Sequence, residues 1–248
     1  MRSPELIAHR GYTLKYPENT QEAFKAAINA GTRFIECDVQ LSGDGVPVLF
    51  HDQNLQRICK QPGAIHEYTW QNLQEFRASD PGRFGNTFSH VSIATLESFI
   101  NMLAANPGVN AFIELKTISL DHFGIEFVLG TILPHLTGLE KRIILISYNL
   151  DSLIKAREAG WKQVGAVIDD WQETKIDDLQ QLKPQYLFCA IKGLPAQGNI
   201  AYPGAKIAVF EVADPGIALN LSNRGVDMIE TFAIDEMLTG LRQGRKNE

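Results

Sequence analysis

The chain has 248 residues, 44% of them apolar, enough to bury a sizeable core in one large α/β barrel or two small domains. A net charge of −6 without a basic run excludes general nucleic-acid binding, which depends on clustered Lys and Arg neutralising phosphates. The chain has no stretch of about 18 apolar residues, and Met1-Arg2-Ser3-Pro4-Glu5 lacks a secretory h-region, so no stable membrane insertion and a cytoplasmic location are expected, with Cys37, Cys59 and Cys189 as reduced thiols.

In chain order, β-branched apolar runs predict strands at LIAHR (6 to 10), RFIECDV (33 to 39), AFIELK (111 to 116), RIILIS (142 to 147), QVGAVI (163 to 168), YLFCAI (186 to 191), KIAVFEV (206 to 212) and MIETF (228 to 232). Helical segments lie between them. NTQEAFKAAINAG follows Pro17, with Asn19 or Thr20 as the cap and Gly31 as the stop, and LDSLIKAREAG and DPGIALNLSNRG repeat the scheme. Eight such strands predict an α/β fold, a (β/α)8 TIM barrel over residues 1–248 with its site at the strand C-termini; a doubly wound open sheet is the alternative. Residues 53–92, before the helix SIATLESFINMLAAN, exceed an ordinary connection. They are expected to form an insertion, either a lid or a small subdomain packed on its own aromatics Tyr68, Trp70, Phe76, Phe84 and Phe88.

The candidate chemistry sits at three strand ends. Strand alternation puts Glu36 and Asp38 on one face and Cys37 on the other, under the helices. Glu114 and Lys116 share a face at the end of the third strand, and His9 and Arg10 end the first. Ser42-Gly43-Asp44-Gly45 is a hairpin signal; with the turn centred on Asp44, position 38 faces about position 50, and His51 returns to the level of the carboxylates.

Glu36, Asp38 and Glu114 would repel one another without a cation among them, and all-oxygen ligation suits one divalent cation, Mg²⁺ or Ca²⁺, better than zinc. His9 and His51 could then serve as acid and base, with Arg10 and Lys116 providing positive charge for an anion. A second chemical reading makes one or both histidines ligands of zinc or manganese. His66, His90, His122 and His135 lack a carboxylate pattern and are expected at the surface, while Ser147 and Tyr148 could face the mouth.

AHRGYTLKYPENTQEAFKAAINAG followed by FIECDVQLSGDGVPVLFHD, with IELK and GVDMIET in order, resembles the glycerophosphodiester phosphodiesterase family, whose barrel is of the phospholipase C-like phosphodiesterase type. The likeness runs from about residue 5 to residue 236 and is similar in length to the short cytosolic bacterial members. It implies a small-molecule partner, a glycerophosphodiester, cleaved to glycerol 3-phosphate and an alcohol. It also implies acid and base roles for His9 and His51, metal ligation by Glu36, Asp38 and Glu114, and phosphate contacts from Arg10 and Lys116, with Pro17-Glu18-Asn19-Thr20 chiefly fixing the first loop and helix start and direct contact of Glu18 or Asn19 with the site as the lesser alternative. Two stretches depart from the pattern, Phe210-Glu211 and Glu230-Thr231-Phe232, where the alcohol or glycerol pocket is expected to differ. The competing functions are a phospholipase D-like barrel acting on lysolipids and a non-catalytic phosphate-binding barrel.

Overall fold

The computed structural model describes residues 3–244. Eight parallel strands close on themselves: β1 (Glu5–Ala8), β2 (Phe34–Leu41), β4 (Asn110–Leu115), β5 (Ile143–Ser147), β6 (Val164–Ile168), β7 (Tyr186–Ala190), β8 (Lys206–Phe210) and β9 (Met228–Thr231). β1 pairs with both β2 and β9, which makes the sheet a barrel and removes the open-sheet alternative. The remaining strand, β3 (Pro47–Leu49), runs antiparallel to β2 outside the barrel proper.

Alternation along the strands sorts the side chains into two shells. Outward residues such as Ile35, Cys37, Ile113, Leu145 and Val209 pack under the helices. Inward residues Ile7, Phe112, Ile144, Ile146, Val167, Phe188, Ala208 and Met228 fill the barrel. Along β2, β4 and β9 the inward series ends in acids: Glu36 and Asp38, Glu114 beside Asp38 in the parallel register, and Glu230 two residues beyond Met228.

The first crossover helix, Gln21–Ala30, starts where Thr20 accepts a hydrogen bond from the Ala23 backbone N–H and stops at Gly31, whose φ of 96° favours a residue without a β-carbon. Residues 53–92 build a satellite. Its short helices Gln56–Cys59 and Trp70–Leu73 gather around a separate apolar cluster that includes Phe50, Leu55, Ile58, Ile65, Leu73 and Ile93, with Tyr68, Trp70 and Phe76 against it, while Phe84 of the helix Pro81–Phe84 packs edge-on to Phe88 and Phe88 packs on Tyr16. Among the described residues, no helix is long and apolar enough to cross a membrane.

Candidate active site

The chain leaves β1 through two left-handed residues, Arg10 (φ 55°) and Gly11 (φ 90°). A β-carbon at position 11 would lie 2.7 Å from the Ala23 backbone carbon, so only glycine fits there. The turn aims the Arg10 backbone N–H at Glu36 Oε2, 3.1 Å away. Asn19, also left-handed at φ 56°, clamps Asp38 from the next loop. Its Nδ2 donates to Asp38 Oδ2 at 2.8 Å, and its Oδ1 accepts from the Asp38 N–H at 3.2 Å. Thr20 therefore supplies the cap, while Asn19 and Glu18 touch the site itself, the lesser of the two roles expected of this stretch.

Glu36, Asp38 and Glu114 each bring one oxygen within 4.8 Å of the others. Burial, and then the neighbouring Asp38, push the Glu36 and Glu114 carboxyls above their ordinary range. Asp38 goes the other way: burial would raise it, but Lys116, Arg10, His51 and Asn19 together hold it far below. Lys116 Nζ lies 2.8 Å from Glu114 Oε1 and 3.3 Å from Asp38 Oδ1, and Arg10 Nε lies 3.1 Å from Asp38 Oδ2 without hydrogen-bond alignment. These two cations leave Glu36 Oε1 and Asp38 Oδ1 buried without a hydrogen bond. Hard oxygen donors that lack a hydrogen bond in this way fit a divalent cation of the Mg²⁺ or Ca²⁺ kind.

The hairpin has the register expected of a turn centred on Asp44: Val39 faces Leu49, Gln40 faces Val48, and the Phe50 N–H donates to the Asp38 carbonyl at 3.0 Å. Gln40 then fixes the departing chain by donating to the carbonyls of Phe50 (2.9 Å) and Asp52 (2.8 Å). His51 Nδ1 lies 3.0 Å from Asp52 Oδ1. An ionised carboxylate only accepts, so Nδ1 carries the proton and Nε2 is the free nitrogen. Arg57 grips Asp52 at 2.7 and 2.8 Å and Glu18 at 2.8 and 2.7 Å; burial acts to raise both acids, but His51 and Arg57 together hold Asp52, and Arg57 with Arg10 hold Glu18, below the usual range.

His9 repeats this arrangement across the mouth. Its Nδ1 pairs with Glu211 Oε1, and its Nε2 lies 3.8 Å from Glu36 Oε2. Burial works to lower the His9 pKa, but Glu230 and Glu211 outweigh it and raise it. Glu230 is 4% exposed, and burial pushes its carboxyl up to about 7 against partial relief from His9 and Arg10. A cavity of about 440 Å³ takes in His9, Arg10, Glu36, His51, Glu114, Lys116, Glu211 and Glu230, with Ile146, Val167, Phe188 and Phe210 on its apolar wall.

The seven expected site residues thus gather at one strand-end cluster; six line the cavity, and Asp38 is fully buried beside them. Sequence reasoning missed Gln40, Arg57 and the approach of Glu211 and Glu230 to His9. Tyr148 reaches the cavity, but Ser147 is buried and donates to the Leu115 carbonyl instead. His90, His122 and His135 are exposed as expected; His66 is half-buried and stacks on His122 with ring centroids 4.1 Å apart. None of residues 53–92 lines the cavity, and their link to it is Arg57.

The model of the glycerophosphoryl diester phosphodiesterase family matches residues 9–221. A Bacillus altitudinis glycerophosphodiester phosphodiesterase is 33% identical over 149 residues, covering 60% of each chain, and one from Caldanaerobacter subterraneus is 35% identical over 60% of this chain and 59% of its own. The match thus spans about three-fifths of the length of these curated relatives. Among solved structures, an Oleispira antarctica phosphodiesterase in complex with the product sn-glycerol-3-phosphate superposes with a TM-score of 0.81 at 25% identity, over 97% of both chains. A Silicibacter pomeroyi protein of the same fold gives 0.82 at 19% identity, over 98% of this chain and 95% of its own.

Proposed function

The chain belongs to the glycerophosphoryl diester phosphodiesterase family, and from that premise we propose that it hydrolyses a glycerophosphodiester to glycerol 3-phosphate and the headgroup alcohol. One observation carries the reading: two carboxylate-held histidines, His9 and His51, meet in a single cavity with Arg10, Lys116, Glu36 and Glu114. The Oleispira relative with bound product supports a glycerol phosphate as the occupant.

In this reading Glu36, Asp38 and Glu114 hold one divalent cation, Mg²⁺ or Ca²⁺, which when bound offsets their charge and draws in a phosphoryl oxygen. Arg10 and Lys116 border the same trio and stabilise negative charge that grows on the phosphoryl oxygens in the transition state. The free Nε2 of one histidine takes the proton of the substrate's glycerol 2-hydroxyl as that oxygen bonds to phosphorus, and the other histidine gives a proton to the headgroup alkoxide as its P–O bond breaks. Water then opens the cyclic phosphate with the two roles reversed. Glu211 and Asp52 hold the two Nδ1 positions and so keep each Nε2 as the reacting nitrogen.

The test is a coupled assay for glycerol 3-phosphate released from glycerophosphocholine, glycerophosphoethanolamine and glycerophosphoglycerol, with Mg²⁺ and Ca²⁺ supplied in turn. Release from at least one of them is expected. No release from any diester with either cation would overturn the reading.

A further inference from the structure

Two acids outside the expected trio converge on one side chain. Glu211, after β8, takes the Nδ1 position of His9, and Glu230, on β9, faces the barrel interior next to it. β9 pairs with β1, and the closure of the barrel brings them together. His9, Glu36 and Glu230 each offer a ligand atom within 4.8 Å of the others.

Proximity alone does not make a site, as Glu18, His51 and Asp52 illustrate. They meet the same distance condition, but the Arg57 guanidinium, with Arg10, already takes their oxygens. The His9 group has no such occupant. Glu230 Oε1 and Glu36 Oε1 are buried without a hydrogen bond, on residues only 4% and 2% exposed, and both residues line the cavity. Because Glu211 accepts the Nδ1 proton, the neutral His9 ring presents its Nε2 lone pair on the Glu36 side. A carboxylate holding the far nitrogen of an imidazole is the arrangement that orients histidine ligands in metal sites.

We infer that His9, Glu36 and Glu230 form a second cation site, sharing Glu36 with the first, that takes an imidazole-binding transition metal such as Zn²⁺ and silences the enzyme when filled. Mixed nitrogen and oxygen donors suit Zn²⁺, whereas Mg²⁺ and Ca²⁺ favour oxygen alone. Silencing follows because a ring nitrogen that binds a cation cannot accept a proton. Only this inhibitory half rests on the proposed phosphodiesterase reading; the binding half rests on the geometry.

The experiment uses the full chain, stripped of metal and then saturated with Mg²⁺. Zn²⁺ binding is followed by equilibrium dialysis with elemental analysis, and Co²⁺ serves as a visible-absorption probe. The wild type is expected to bind one more Zn²⁺ per chain than Glu230→Gln and to give a Co²⁺ ligand-field band that this variant loses. Glu211→Gln, which alters a more exposed side chain, should weaken Zn²⁺ binding about 10–100-fold. Zn²⁺ should inhibit turnover with the same affinity with which it binds, and both should shift together in the two variants. Equal Zn²⁺ stoichiometry and affinity in the wild type and in folded Glu230→Gln and Glu211→Gln would overturn the site. Binding without inhibition would overturn the silencing alone. An inactive wild type that still binds the extra Zn²⁺ would count against the phosphodiesterase reading and not against the site.

Discussion

Two acid clusters flank the barrel mouth, and they differ in how their charge is answered. Glu18 and Asp52 are closed by the Arg57 fork, with Arg10 adding a contact to Glu18, and both carboxyls are held below their usual range. Glu36, Glu114 and Glu230 have too few cations beside them, and burial pushes all three up. The lesson is that carboxylate density alone does not mark a reactive site. A guanidinium that matches the acids makes a brace, whereas orphaned oxygens facing a cavity make a place for a ligand.

The largest effect should come from depriving the open cluster of its cation. Chelation is expected to lower turnover at least a hundredfold, on the scale of losing a major electrostatic stabiliser of the transition state. Glu114→Gln should weaken cation binding by calorimetry while circular dichroism stays native. Full turnover in excess chelator would break the contrast, since both clusters would then be structural. His51→Ala, which joins the two clusters through Asp52, should cost about 10²–10⁴-fold in kcat with the fold intact. A variant within tenfold of wild type would remove His51 from the chemistry.

The parts of this contrast that were legible in the sequence are those written in local pattern. The barrel strands announced themselves as β-branched runs at regular spacing, and Glu36 and Asp38 share a face because the strand period is two. His51 could be set level with Asp38 because the Ser42 to Gly45 turn fixes the register. The choice between Asn19 and Thr20 as cap was not legible, because a tertiary partner, Asp38, takes Asn19 away. Glu211 and Glu230 stood out only as departures; their meaning required β9 to close against β1, a contact between opposite ends of the chain. Arg57 gave no signal, since it lies in a four-residue helix too short for periodicity and its partners come from two other loops.

The clusters should also respond oppositely to pH in the metal-free protein. Glu230 has a folded pKa of about 7 against an ordinary 4.5, so the folded state binds its proton more tightly than the unfolded chain does. Its contribution to stability is present at low pH and is lost as pH rises through that window, by about 3 kcal/mol for Glu230 alone. Glu36 and Glu114 add to the loss in the same direction. Glu18 and Asp52, with lowered pKa values, contribute stability at neutral pH that is lost as pH falls through the acidic range. Denaturant unfolding at about pH 5 and about pH 7.5 in chelator should therefore show a fall that Glu230→Gln flattens and added divalent cation reverses. A fall of the same size in Glu230→Gln would show that the open cluster is not its source.

The smallest effect tests the closed cluster directly. Arg57→Ala removes the fork from Asp52 and Glu18, leaving Glu18, which is 8% exposed, with only its Arg10 contact. Breaking a fully buried pair costs about 3–5 kcal/mol and an exposed one about 0–1. The Arg57 side chain is 42% exposed, so an intermediate loss of about 2 kcal/mol is expected from denaturant unfolding at neutral pH. Arg57→Lys keeps the charge but cannot reproduce the two-pronged grip, and should recover less than half of that loss. The two clusters should also separate by salt and cation. The Arg57→Ala loss should stay the same with and without divalent cation, because Glu18 keeps its Arg10 contact and Asp52 its His51 contact, so neither acid is left orphaned. If added Mg²⁺ or Ca²⁺ restores Arg57→Ala to wild-type stability, then Glu18 and Asp52 bind cation once the arginine is gone. The distinction between the clusters would then rest on Arg57 alone and not on the geometry of the acids.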